Sequence, residues 1–190
     1  MQGIKLFHSC VFIDDLEIPV DLETHILSVM DNDSSNVVIS NKGGWQSPTF
    51  KDPNIPFAKE ILEQIKIRVA SVFEEYKIDN EPILSNYWFN VNSKYSWNMV
   101  HEHPFSLMSA VLYVRAPENC GDIIFSRQDL LSHYIKPNIK TDNTWTQYWV
   151  KPFKGRLLIF PSYMSHHVEQ NLSEDADPRR ISIALNYIGV

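Results

Sequence analysis

Cysteine is scarce in this chain: only Cys10 and Cys120 occur among 190 residues. Two such residues make neither a disulfide framework nor a cysteine-rich metal pattern. The simplest reading is a pair of reduced thiols in a cytosolic protein. Long apolar runs are missing too. The first eight residues, Met1 to His8, hold none long enough for a signal peptide or a membrane span. The expectation is therefore a soluble, cytoplasmic protein (host cytoplasm for a viral chain) with no membrane partner. Basic charge is not in excess either. The formal net charge is −6, which argues against non-specific nucleic-acid binding, since that needs a basic surface. No internal repeat or low-complexity tract divides the chain.

What is present fits an ordinary globular composition, 44% hydrophobic and 21% charged. Aromatics reach 12%, with five Trp, which suits a sheet-rich fold with a deep core. The length predicts a single domain over 1–190. Residues 1–80 form its bracing region and 81–190 its β core.

Residues 4–20 read as one or two strands. Asp21 to Met30 predicts a short helix capped by Asp21 or Asp15. Gly43-Gly44-Trp45 predicts a tight loop. The clearest helix runs over 56–76, where Phe57, Ile61, Ile65, Val69, Val72 and Tyr76 recur at spacings of three and four. From Leu84 the period changes. Segments 84–91, 96–101, 107–115, 122–126, 146–151, 156–160, 164–169 and 180–188 are short and rich in β-branched and aromatic residues. A run of about eight strands with no helix between them closes into a barrel or a two-sheet jelly roll. The fold class is then mainly β with flanking helices. The long, irregular connection 127–145, carrying His133, Tyr134 and Trp145, is a candidate lid.

Three elements carry chemistry. His101-Glu102-His103 places two imidazoles on one side of an extended segment, with Glu102 turned away. His166 and His167 follow an apolar strand that Pro161 ends, at the rim of the sheet. A pair on an early strand and one ligand on a late strand can meet in a barrel mouth, leaving open positions for oxygen and a co-substrate. In Arg180-Ile-Ser182-Ile-Ala184-Leu-Asn186, alternation puts Arg180, Ser182, Ala184 and Asn186 on one face. Ile181, Ile183 and Leu185 take the other, toward packing. An inward arginine is costly unless it meets an anion, and a guanidinium holds a carboxylate by two parallel bonds. The plainer reading pairs Arg180 with Glu174, Asp175 or Asp177.

These residues resemble a known family. Ser40-Asn-Lys-Gly-Gly-Trp-Gln-Ser47, Tyr87-Trp-Phe-Asn-Val91, His101-Glu-His-Pro104, Ser109-Ala-Val-Leu-Tyr-Val114, Gly121-Asp-Ile-Ile-Phe125, Phe160-Pro-Ser-Tyr-Met-Ser-His-His-Val168 and Arg180-Ile-Ser-Ile-Ala-Leu-Asn186 are similar to runs in small iron(II)/2-oxoglutarate-dependent oxygenases of phages and marine bacteria. Those proteins are distant relatives of the prolyl hydroxylases. The resemblance implies a double-stranded β-helix (a jelly-roll, cupin-like barrel) and a hydroxylase-like dioxygenase using iron(II), 2-oxoglutarate and oxygen. It makes His101 the first ligand and His166 the distal one, and puts His167 on a variable position. Arg180, helped by Ser182, would hold the far carboxylate of 2-oxoglutarate, and Tyr113 would touch the co-substrate. Asn90 and Trp97 are weaker pocket candidates. His103 stands where the wider superfamily usually has a carboxylate, and completes the expected metal set. No catalytic group beyond the metal ligands is expected, and the partner is an unidentified substrate. Two rivals remain open: a three-histidine metal dioxygenase that needs no 2-oxoglutarate, and a non-enzymatic metal- or ligand-binding module.

Overall fold

The computed structural model describes residues 9–129, 139–141 and 144–189. Two antiparallel sheets build the molecule. The larger runs β1-β9-β6-β11-β4-β3, with β1 Phe12–Asp15, β9 Arg156–Pro161, β6 Met108–Arg115, β11 Arg180–Gly189, β4 Pro82–Asn92 and β3 Trp45–Gln46. The smaller runs β2-β5-β10-β7-β8, with β2 Asn41–Lys42, β5 Trp97–His101, β10 His166–Val168, β7 Ile123–Ser126 and β8 Gln147–Val150. This is the mainly β, two-sheet architecture expected. The eight strands predicted from Leu84 onward all form, each within a few residues of its expected ends. Residues 130–138 and 142–143, which hold most of the candidate lid with His133 and Tyr134, lie outside the described residues.

Two helices, α1 Leu22–Asn32 and α2 Lys59–Glu75, cover the larger sheet. The predicted stripe of α2 packs as expected: Ile61, Ile65 and Val69 are fully buried with Phe89, Ile181, Ile183 and Leu185. The helix starts later than predicted. Pro56 lies in a preceding turn, where the Ile55 carbonyl accepts hydrogen bonds from the Ala58 and Lys59 amides. Asp21 precedes α1 but makes no side-chain cap.

One core lies between the helices and the larger sheet. A second lies between the sheets, where Tyr113, Ile123, Phe125, Leu158 and Phe160 meet. The alternation of β11 divides its side chains between the two: Ile181, Ile183 and Leu185 outward to the helices, Arg180 and Ser182 inward. The Gly43-Gly44 loop is not a hairpin. It carries the chain from β2 in one sheet to β3 in the other, with Gly43 at φ +74°, a left-handed conformation that favours glycine.

Candidate metal centre

His101 and His166 are direct neighbours across β5 and β10, and their rings sit 4.3 Å apart, centre to centre. His103 follows β5, and its amide donates to the Ser162 carbonyl at 3.0 Å. Its ring stacks on Trp88 of β4 and lies nearly parallel to that of His166. One nitrogen from each of the three rings falls within 4.8 Å of the others. Glu102 points away, as alternation requires, and accepts a bond from Gln128.

The ring orientations are fixed from behind. His101 Nδ1 donates to the Met99 carbonyl at 2.7 Å and His166 Nδ1 to the Met164 carbonyl at 2.8 Å. Each Nε2 therefore keeps its lone pair, the tautomer a metal ligand needs. His103 Nε2 lies 3.3 Å from His166 Nε2, the separation of two nitrogens sharing one ion through bonds of about 2.1 Å. Burial depresses proton affinity at all three rings. His103 is lowered to about 4 and His166 to about 3, burial first and the neighbouring imidazoles second. His101 moves the same way, mostly through burial. Near neutral pH the three rings are uncharged donors converging on one point.

The opposite end of the same cavity belongs to Arg180. It is 2% exposed, and its Nη1 donates to the carbonyls of Cys120 and Gly121. Its Nη2 is buried with no partner among the described residues. The nearby acids are engaged elsewhere: Glu174 with Lys94, and Asp177 with Arg115 and Arg179. The plainer reading of Arg180 thus fails for those two acids. Gly121 makes this seat, since at φ +90° a Cβ there would lie 2.3 Å from the Glu169 carbonyl and 3.0 Å from Arg180 Nη1. A buried guanidinium without an anion is costly, so the donor set fits a carboxylate.

The pairing of β4 with β11 lays the wall out in rows: Trp88 with Ala184, Asn90 with Ser182, Asn92 with Arg180. Tyr113 of β6 joins the middle row opposite Ser182, and burial raises the proton affinity of its phenolate. The cavity these rows line holds about 60 Å³. A single water needs about 10–15 Å³, so the cavity has room for a small molecule only.

Most of the predicted site residues line this cavity: His101, His103, His166, Asn90, Tyr113, Arg180 and Ser182. Trp97 does not, and is 41% exposed. Strict alternation would put it on the face of His101. The β5–β10 register shifts between His166 paired with His101 and Val168 paired with Asn98, so β5 carries an extra residue. That bulge turns Asn98 inward in place of Trp97. His167 faces away from the cluster and pairs with Ile124. Sequence reasoning missed Trp88, Asn92 and Asn98. Only Trp88 and Asn92 had a signal, the two-residue repeat from Asn90.

A family profile described as "Putative 2OG-Fe(II) oxygenase" matches residues 86–186. The chain belongs to that family. It is accordingly a 2-oxoglutarate-dependent non-haem iron dioxygenase. The matched span begins on β4 and ends on β11, and includes every lining residue named above. Curated proteins give no match. Among solved structures, a prolyl-4-hydroxylase from Pseudomonas putida is similar at TM-score 0.68 and 15% identity, covering 95% of this chain and 92% of that one. A viral collagen prolyl hydroxylase from Paramecium Bursaria Chlorella virus-1, in complex with 2-oxoglutarate, gives 0.60 at 12% identity, covering 95% and 96%. HygX from Streptomyces hygroscopicus, with nickel and 2-oxoglutarate bound, gives 0.59 at 14%, covering 96% and 84%. These likenesses establish the shared fold. No helix among the described residues is long and apolar enough to cross a membrane.

Proposed function

We propose that His101, His103 and His166 hold iron(II), that Arg180 and Ser182 receive the far carboxylate of 2-oxoglutarate, and that the enzyme hydroxylates an unidentified organic substrate. The observation that carries this reading is one cavity with three neutral imidazoles at one end and, at the other, a fully buried arginine with no carboxylate partner among the described residues. Bound iron(II), with 2-oxoglutarate and oxygen, supplies the oxidising chemistry. The protein does the rest. The Met99 and Met164 carbonyls hold two imidazoles in the ligating tautomer. Arg180 fixes the length and direction of the co-substrate by charge-assisted bonds. Tyr113 and Asn90 flank its middle, and the apolar wall of Val111, Phe160 and Val168 limits water. Fold kinship with prolyl hydroxylases raises a protein side chain as substrate, beside a small metabolite.

His103 favours one rival. Three neutral imidazoles leave a ferrous site one unit more positive than a site with a carboxylate, as in a three-histidine dioxygenase that needs no 2-oxoglutarate. The buried Arg180 weighs against it, because that chemistry gives an inward arginine no task. The test is oxygen consumption and succinate release by the iron(II) protein. The proposal expects both to require 2-oxoglutarate. Oxygen use without it, or no succinate under any condition, would reject the proposal.

A further inference from the structure

Three polar atoms lining this cavity are buried without a partner among the described residues: Arg180 Nη2, Asn92 Nδ2 and Asn90 Oδ1. Leaving such atoms unpaired costs about 1–3 kcal/mol each, so a cluster of them in one cavity marks where a polar ligand belongs. Two of the three are donors, and they are neighbours. Asn92 on β4 is the direct cross-strand partner of Arg180 on β11. Both residues line the same cavity, where Asn92 is 2% exposed.

The Gly43-Gly44 loop explains how Asn92 is held. A Cβ on Gly44 would sit 2.4 Å from Asn92 Nδ2 and 3.2 Å from its Cγ. The loop backbone thus lies directly against this amide. Gly44, unlike Gly43, has no left-handed backbone to require glycine. Its missing side chain is explained by close approach alone. Asn171 Nδ2 donates to the Asn92 backbone carbonyl at 2.9 Å and pins the end of β4. Asn92 is thus held at its backbone by Asn171 and flanked at its amide by the loop, while Nδ2 has no hydrogen-bond partner among the described residues.

We propose that Asn92 is a further donor to the carboxylate that Arg180 and Ser182 receive, and that Gly44 is a positioning residue acting through it. This rests on the reading of the pocket given above and adds what selects its ligand. The end group must accept hydrogen bonds from a cation and a neutral amide side by side. A carboxylate does so with its two oxygens. The Gly-Gly-Trp loop then backs the Asn92 amide from outside the pocket lining, and is not merely a link between sheets.

The test is calorimetric titration of 2-oxoglutarate into the anaerobic iron(II) protein, for wild type, Arg180→Ala, Asn92→Ala, Asn92→Asp, Gly44→Ala and the Gly44→Ala/Asn92→Ala pair. Loss of a hydrogen bond to a charged group predicts roughly tenfold or greater weakening in Asn92→Ala. Asn92→Asp, which sets a negative charge against the ligand, should weaken binding further still. Gly44→Ala should weaken binding several-fold by displacing the amide, yet add nothing when Asn92 is already alanine. A purely structural role for the loop would lower affinity equally in both backgrounds, and that result would overturn the positioning role. Wild-type affinity in Asn92→Ala beside lost affinity in Arg180→Ala overturns the Asn92 assignment alone. Wild-type affinity in both overturns the reading of the pocket on which it rests.

Discussion

At the scale of the residue, Arg180 decides more than any histidine. Imidazole clusters bind several metals, zinc included, whereas a buried guanidinium with a vacant donor specifies an acid. Its inward aim was legible in the sequence, because Ile181, Ile183 and Leu185 fix the opposite face of β11 and alternation does the rest. Truncation to Arg180→Ala should weaken 2-oxoglutarate binding by about 2–4 kcal/mol, the loss of a charge-assisted pair, and leave iron binding in place. Equal affinity in wild type and variant would remove the arginine from the site. Asn92 was less legible. Its donor matters because it has no partner among the described residues, and partners are a property of the folded chain that residue type does not encode.

Among the elements, α2 and β5 show where local pattern suffices and where it fails. The stripe of α2 follows a strict helical period, so its buried face was readable. Its start was not, since Pro56 suits a first turn and a preceding turn equally well. The helix packs on the outside of the larger sheet, away from the cavity. Ile65→Ala should therefore cost about 2–4 kcal/mol of stability, the usual loss for a large buried aliphatic. Denaturant unfolding would measure this, and 2-oxoglutarate affinity in the folded protein should stay unchanged. Coupled loss of both would show that α2 shapes the site directly. On β5, the bulge between Asn98 and His101 breaks the alternation that sequence reasoning relies on. It exchanges Trp97 for Asn98 in the cavity wall, and nothing in Trp97-Asn-Met-Val-His101 announces it, because the extra residue is defined only by pairing with β10.

For the whole molecule, the order of strands was out of reach of the sequence, although the eight strands from Leu84 onward were not. The two-residue strands β2 and β3 were missed because they are too short to show a period. Pairings such as β1 with β9 or β3 with β4 join distant segments, and local periodicity carries no record of a partner. The charged cluster that ties α1, the end of β6 and the loop before β11 together has a pH signature. Asp177 accepts bonds from Arg179 and Arg115, and Arg115 also meets Glu23 of α1. Arg179 first, then Arg115, holds the Asp177 carboxyl far below the usual carboxylate range. The stabilisation is therefore complete above the unfolded value of about 3.9 and is lost as pH falls through the folded one. Because the groups are partly exposed, solvent screening limits each pair to about 1 kcal/mol or less. Urea unfolding of Asp177→Asn should thus show a shallower fall in stability below pH 4 than wild type, and parallel curves would exclude the pair as a contributor. The account as a whole stands on one cavity binding metal and co-substrate together. Anaerobic visible spectroscopy of the iron(II) protein measures that directly. The prediction is a metal-to-ligand charge-transfer band that requires both iron(II) and 2-oxoglutarate and vanishes in His166→Ala. Absence of the band in wild type, or its persistence in His166→Ala, would contradict it.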